Sequence, residues 1–292
     1  MAVIYNLGSL NLDHIYHLPH HVQSGETLSA TSFRVGAGGK GCNQSIACAL
    51  AGAKVFHAGC IGQDGKMLKE LLKKSGADTS LLQEVDTPTG CAVVMINAEG
   101  NNSIILYSGA NSKISSELLE KLFAQAEAGD VLLLQNETNM LSEAMLLAKE
   151  NAMKIAFNFA PFDKEKALKL PLELVDYLIV NEIEGAGLAE KKATDEILEC
   201  LKLRYPDTQI ILTLGADGVV WDGPAGQGEL AAFPADVVDT TAAGDTFIGY
   251  FLAGINENMS IRDAATLASK ASAICCSRPG AGTAIPERAE IV

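Results

Sequence analysis

Aromatic side chains are scarce in this chain, at 5% of residues with a single tryptophan. Its core must therefore lean on Leu, Ile, Val and Ala. Positive charge is also scarce: 22 Lys and Arg stand against 36 Asp and Glu, a formal net charge of −14. Such a chain repels phosphate backbones, which argues against general nucleic-acid binding. It still leaves room for a local pocket that takes a phosphorylated ligand through short-range donors. Long apolar runs are missing, since none reaches the roughly 18 residues a membrane helix needs. The opening stretch MAVIYNLGSLNLD lacks the basic segment that begins a secretory signal. Paired cysteine spacing is missing too. Cys42, Cys48, Cys60, Cys91, Cys200, Cys275 and Cys276 are odd in number and form no CxxC, against both a disulfide framework and a zinc site. They are expected as small buried hydrophobes in a cytoplasmic protein with no membrane segment.

The 292 residues suffice for a large core, whether in two domains or one large α/β unit. Residues 2–7 form a short apolar run that suits a buried strand. Two polar-alternating stretches follow, about residues 13–18 and 26–35, which suit strands with one face in water or against a partner. Residues 38–51 turn to helical spacing. The stretches 90–97 and 103–108 flank the turn AEGNN and suggest a hairpin. From about residue 115 the rhythm changes. Apolar runs at 131–134, 154–157, 177–180 and 209–214 alternate with helical stretches, the pattern of βα units building a parallel sheet. The expected arrangement is a parallel sheet with a small β-structured flap over one end, where ligands of such sheets bind.

The stretch GAGGKGCNQ, residues 36–44, fits the dinucleotide fingerprint G-x-G-x-x-G. That reading needs a buried strand before it and an acidic residue about 20 residues later. The preceding stretch alternates in polarity, and Asp64 sits in the loop-like IGQDG, so a nicotinamide site is disfavoured. The Walker pattern is absent, because Gly41 follows Lys40. What remains is a tight turn into a helix, with backbone that a ligand can approach closely. Asn43 stands just inside that helix, where its amide can reach a hydroxyl.

Five motifs occur in order: GSLNLD (8–13), GAGGKGCNQ (36–44), NEIE (181–184), TLGADG (213–218) and VDTTAAGDTF (238–247). Together they resemble the ribokinase-like carbohydrate kinase superfamily, from about residue 3 to residue 286. The resemblance implies ATP-dependent transfer of the γ-phosphoryl group to a sugar hydroxyl, with ribose the first acceptor to expect. It implies an α/β fold with a central, mostly parallel sheet flanked by helices. A single unit over 1–292 would carry a β-lid built from about 12–36 and 90–109, often the contact of a homodimer.

Site residues follow by similarity. Asn11, Asp13, Gly39, Asn43 and Glu137 would grip the sugar, since convergent carboxylates and amides suit vicinal hydroxyls. Glu137 alone would otherwise be a solvated strand end. Asn181, Thr213, Gly215 and Gly218 would shape the nucleotide groove, and Glu184 would orient Mg2+ through water. Asn181 and Glu184 alone would read as an acidic helix start. Backbone N–H groups of Ala242, Ala243 and Gly244 would stand free at a helix N-terminus and form the anion hole. Asp245 would be the catalytic base, although alone it would read as a helix cap. It is expected to orient the hydroxyl first and to take the proton late.

Loop oxygens of Asp239, Thr241, Cys275, Arg278, Gly280 and Ala284 match a K+ site, with Ala284 lacking a hydroxyl that relatives can offer there. Ala242 stands where many members carry glycine. Ser269 and Lys270 occupy a stretch that usually lines the adenine pocket, with Lys270 expected to point outward. The alternatives are a kinase for deoxyribose, another sugar or a nucleoside, which lid residues such as Ala110 and Asn111 would separate, and a non-catalytic binding protein on the same fold. Presence of both Asp245 and Glu184 argues against the last.

Overall fold

The structure, a computed structural model, describes residues 2–167 and 169–291. Met1 and Val292, the ends of the expected 1–292 unit, and Leu168 lie outside the described residues. Thirteen strands are found among those described: β1 (Ile4–Leu7), β2 (Asn11–His17), β3 (Ser32–Gly38), β4 (Val55–Ile61), β5 (Leu82–Glu84), β6 (Gly90–Ile96), β7 (Asn102–Tyr107), β8 (Val131–Gln135), β9 (Lys154–Asn158), β10 (Tyr177–Asn181), β11 (Gln209–Thr213), β12 (Val219–Asp222) and β13 (Gly228–Leu230). The helices are α1 (Lys40–Leu50), α2 (Lys66–Ser75), α3 (Ser116–Phe123), α4 (Leu141–Glu150), α5 (Lys164–Ala167), α6 (Glu182–Ala189), α7 (Thr194–Arg204), α8 (Ala243–Asn256) and α9 (Ile261–Cys276).

Nine strands form one sheet in the order β13-β12-β11-β10-β9-β8-β1-β4-β5. Neighbours from β11 through to β5 run parallel, and β12 and β13 add an antiparallel edge. The central strands are apolar on both faces, as a sheet covered on both sides demands. Along β8, Val131 and Leu133 enter one core while Leu132 and Leu134 enter the other. The first core is closed by Ile46 of α1, Leu68 of α2, Phe251 of α8 and Ala264 of α9. The second is closed by Leu118 of α3, Met145 of α4, Leu188 of α6 and Leu201 of α7. Among the described residues, no helix is long and apolar enough to cross a membrane.

A separate sheet has the order β3-β2-β6-β7. Pairs β2–β3 and β6–β7 are antiparallel, and β2–β6 is parallel. The expected strand over 26–35 is shorter and later than its alternation suggested. Pairing starts at Ser32, opposite His17. Glu26 instead closes a local turn, accepting from Gln23 N–H and contacting His20. The helix expected over 38–51 also starts later. Gly38 still pairs with Asn11 as the end of β3, so α1 begins at Lys40.

α8 is apolar nearly all round, with ten of its fourteen residues buried. It lies between α1 and α9. Small residues set the distance to α1: a Cβ on Gly249 would fall 2.3 Å from Ala47 Cβ, far inside contact. This close approach brings the first turns of α1 and α8 together.

Candidate active site

Strand order reverses between β1 and β8, and the ligand crevice of an open α/β sheet lies at the carboxyl ends of strands around such a point. The chain leaving β1 is wedged against the start of α1. A Cβ on Gly8 would meet Gln135 Oε1 and Gly41 Cα, both at 2.6 Å. Ser9 Oγ donates to Glu137, in the loop after β8, and the same Glu137 oxygen accepts Lys40 N–H at 3.2 Å. Asn11 opens β2, and its Oδ1 accepts from Asn111 Nδ2 at 2.8 Å. Asn111 also brackets Leu10, accepting its N–H at 2.9 Å. Asp13 stands two residues further, with its carboxylate so close to Gly38 that a Cβ there would lie 2.2 Å from it. Burial pushes the Asp13 carboxyl up to about 6, and nearby Glu137 adds to this while Arg34 opposes it. Gly39 has φ 92 and would clash through a Cβ with Asn11 N and Ser9 O at 2.9 Å, so its visible part is structural.

The start of α8 differs from expectation in one respect. Ala243 N–H is not free, since it donates to Thr240 O at 3.2 Å. The turn at Ala242, with φ 63, produces that contact. N–H groups of Ala242, Gly244 and Asp245 meet no backbone acceptor among the described residues. A Cβ built on Gly244 meets nothing within 4 Å, so the cleft is open there.

Asp245 does not cap its helix, because α8 has no side-chain cap. Its carboxylate instead crosses to α1. Oδ2 accepts from Asn43 Nδ2 and Oδ1 from Gln44 Nε2, both at 2.9 Å. Asn43 Oδ1 is buried and meets no hydrogen-bond partner among the described residues.

Asn181 and Glu184 do form the structural feature their spacing allows, a capping box at the start of α6. Glu184 accepts from Asn181 N and Nδ2, both at 2.9 Å. Burial raises the Glu184 carboxyl, opposed by the Asn181 N–H and the Lys40 ammonium, with Asp245 adding to the rise. A cavity of about 240 Å³ is lined by Glu184, Asn181, Thr213, Lys40, Gly244 and Asp245 among others. Burial works against the Lys40 ammonium, but Asp245, Glu137 and Glu184 together outweigh it and hold the proton more tightly than usual. An adjoining cavity of about 490 Å³ shares Thr213 and Gly244 and runs past Gly215, Gly218, Phe233 and Ser269. Gly218 is packed too tightly for any Cβ, 2.1 Å from Leu230 O, whereas Gly215 faces open space. Lys270 leans over the Phe233 ring, its Nζ 5.7 Å from the centroid.

The two loops expected to share an ion do converge. Val238 and Asp239 N–H groups donate to Cys276 O at 2.8 and 3.1 Å, and Asp239 Oδ2 accepts Gly280 N–H at 3.0 Å. Asp239 Oδ1 takes both the N–H and the hydroxyl of Thr241. Carbonyls of Asp239, Arg278, Gly280 and Ala284 accept no backbone N–H among the described residues, while that of Cys275 accepts Arg278 N–H at 3.1 Å.

Sequence reasoning passed over Ser9, Lys40 and Gln44, which lie inside motifs already singled out. Asn111 was named only as a lid residue bearing on the choice of substrate, and the structure places it against Leu10 and Asn11.

A carboxylate fixed by two amides beside open N–H groups, in a cavity that also holds a lysine, suits phosphoryl transfer to an alcohol. The protein is a phosphotransferase of that class. The family model for pfkB family carbohydrate kinases matches residues 1–288, and the chain belongs to that family. It is 35% identical to the ribokinase of Haemophilus influenzae over 97% of this chain and 95% of the relative. The ribokinase of Cryptococcus neoformans var. grubii serotype A, solved with ADP, superposes with a TM-score of 0.87 at 35% identity, covering 100% and 99% of the two chains. The Arabidopsis thaliana ribokinase complexed with ribose and ATP gives 0.88 at 28% identity, covering 100% and 98%.

Proposed function

We propose that this protein transfers the γ-phosphoryl group of ATP to a hydroxymethyl hydroxyl of ribose. The observation that carries this reading is the position of Asp245, whose carboxylate joins Asn43 at the open N-terminus of α8. The ribokinase relatives and the Arabidopsis complex with ribose and ATP support the choice of substrates. In this reading Asn11, Asp13, Asn43 and Glu137 hold the sugar, and Gly39 shapes the turn beneath it. Asp245 orients the attacking hydroxyl and accepts its proton as the new bond forms. The N–H groups of Gly244 and Ala242, with the Lys40 ammonium, meet the charge on the transferring group. Asn181, Thr213 and Gly215 lie along the nucleotide.

Four carboxylates, Asp13, Glu137, Glu184 and Asp245, surround Lys40 or its neighbours, so a polyphosphate needs further cations here. Among the described residues no group of three or more His, Cys, Asp or Glu side chains is placed to hold a metal. That fits Mg2+ kept hydrated and bound mainly by phosphates, with Glu184 orienting its waters. Bound Mg2+ would neutralise the phosphate oxygens. The oxygen-rich junction around Asp239 fits K+, held by carbonyls of Asp239, Thr241, Arg278, Gly280 and Ala284, with Cys275 the weakest candidate.

The chain from 1 to 292 is taken as one working unit, with the small sheet as its lid. Ile104, Ile105, Leu106 and Tyr107 of β7 are all more than half exposed, which supports a homodimer through the lid, testable by light scattering. The seven cysteines are unpaired, which supports a cytoplasmic setting. Incubation with ATP, Mg2+ and a panel of sugars and nucleosides, with ADP release measured, tests the assignment. Ribose should give the highest kcat/KM, and ADP release with none of the panel would overturn the reading.

A further inference from the structure

Beneath the site lies a run of buried amides that the mechanism above does not use. Gln44, Asn6 and Gln135 are 0% exposed and Asn158 is 6% exposed. Polar side chains at such depth are held by partners, and every side-chain nitrogen of this run has one, whereas Gln135 Oε1 meets none among the described residues. Gln44 Nε2 donates to Asp245 Oδ1 at 2.9 Å and to Asn158 Oδ1 at 3.2 Å. Its Oε1 accepts from Gln135 Nε2 at 2.7 Å. The other Gln135 N–H goes to Asn6 Oδ1 at 2.9 Å. Asn6 Nδ2 gives both of its hydrogens, to Gly41 O and to Ser45 Oγ, each at 2.8 Å. Asn158 Nδ2 donates to Ile179 O at 3.0 Å.

We propose that Gln44 is a positioning residue for Asp245, and that this amide run fixes the direction in which it donates. The inference rests on the reading of Asp245 as the base. A side-chain amide offers two N–H donors on one atom and an acceptor on the other, so each could in principle turn over. Here both ends of the run terminate on backbone carbonyls, Gly41 O and Ile179 O, which only accept. Turning Asn6 over would set its oxygen against Gly41 O. Turning Gln44 over would set its oxygen against the Asp245 carboxylate and its nitrogen against Gln135 Nε2. Every reversal places like against like in a dry interior, where an unmatched polar atom is costly. Gln44 therefore presents N–H to Asp245 and nothing else.

The consequence for the reaction is geometric. With Oδ1 tied to Gln44 and Oδ2 to Asn43, the Asp245 carboxylate cannot spin about its Cβ–Cγ bond. A sugar hydroxyl then meets an acceptor whose lone pairs are already placed. Asn43 also faces the ligand, whereas Gln44 touches only the carboxylate and its own supports, so its effect must pass through Asp245.

The test uses the full chain, with Gln44→Leu, Asp245→Asn and the double variant, each assayed for kcat, for KM of ribose and for ATP binding. Gln44→Met, unbranched and of similar length, replaces Leu if the Tm of that variant falls sharply. Loss of positioning should lower kcat by about 10–100-fold, with KM and ATP affinity within about threefold. On the Asp245→Asn background the same change should lower residual turnover by less than about threefold, because the carboxylate it positions is gone. An equal loss in both backgrounds, or a rise in KM with kcat unchanged, would overturn the proposal. Near-normal turnover in Asp245→Asn alone would instead overturn the reading of Asp245, and the two failures are thus distinguishable.

Discussion

Asn43 Nδ2 donates to Asp245 Oδ2 at 2.9 Å, joining residues 202 positions apart in the chain. One helical turn further along each helix, Ala47 meets Gly249. The hydrogen bond thus depends on a contact between two small residues that carry no chemistry themselves.

Gly249→Ala should therefore damage both stability and turnover. Its Cβ would lie 2.3 Å from Ala47 Cβ and 2.7 Å from Cys48 N, so α1 and α8 must part. Overpacking of this kind costs about 1–3 kcal/mol. Denaturant melts should show that loss, and kcat should fall with it. A variant as stable and as active as the wild type would contradict the claim that this contact sets the site.

Gly244→Ala should behave in the opposite way. The added methyl meets nothing within 4 Å, so the fold accepts it. It points into the cleft assigned to the phosphates. We expect Tm to hold or rise slightly, with kcat/KM for ATP reduced by about 10–100-fold, comparable to the loss of an oxyanion donor. Steady-state kinetics beside a thermal melt separates the two effects.

Asp13 makes a pH prediction. The folded side chain keeps its proton up to about 6, against 3.8 for the ordinary group. As pH rises through that window, only the folded chain bears the cost of ionising a buried carboxyl, so stability falls from about pH 4 to about pH 6. Asp13→Asn should remove that fall and gain about 1–3 kcal/mol at pH 8, since each tenfold change in proton affinity is worth about 1.4 kcal/mol. It should also raise KM for ribose. In the wild type, KM should drop as pH climbs through about 6, because the ionised carboxylate is the better acceptor. A flat KM from pH 5 to 8 would sink this role.

His57 gives the reverse slope. It is fully buried in β4, its Nδ1 lies 2.8 Å from Ser45 Oγ, and burial lowers it from 6.5 to about 4. The unfolded imidazole takes a proton near 6.5 while the folded one resists until about 4, so falling pH favours unfolding across that window. The contribution is complete above about 6.5 and fades towards pH 4, by up to about 3 kcal/mol. Urea melts of His57→Gln should show a shallower acid limb than the wild type; an identical limb would rule His57 out as its source.

Much of this was legible in the residues themselves. The apolar runs that became β8 to β11 are short, continuous and bounded, and burial on both faces leaves them no other reading. Five motifs in order singled out Asp245, Asn43 and Glu184 through the family resemblance, whereas the small residues 242–244 at a helix start carried a physical reason of their own, the close approach of backbone N–H groups to an anion. Residues 26–31 misled, since alternation marks a strand only where a partner strand runs alongside, and among the described residues none pairs with them before Ser32 meets His17. The Ala243 N–H misled for a local reason: a left-handed Ala242 turns it back on Thr240. The amide run under the site was hidden by distance, with Gln44 and Gln135 91 residues apart. A trace was present even so, in Asn6 and Gln135, each a polar residue in an otherwise apolar strand.

The most direct test of the central claim is the turnover of Asp245→Asn with ribose, ATP and Mg2+, measured as ADP release beside ATP binding to the same preparation. Loss of a positioned base should lower kcat by about 10²–10⁴-fold. ATP affinity should stay within about threefold, because the Asp245 carboxylate is held by the amides of α1 and is proposed to meet the acceptor hydroxyl rather than the nucleotide. Turnover within about threefold of the wild type, with ATP bound normally, would contradict the account.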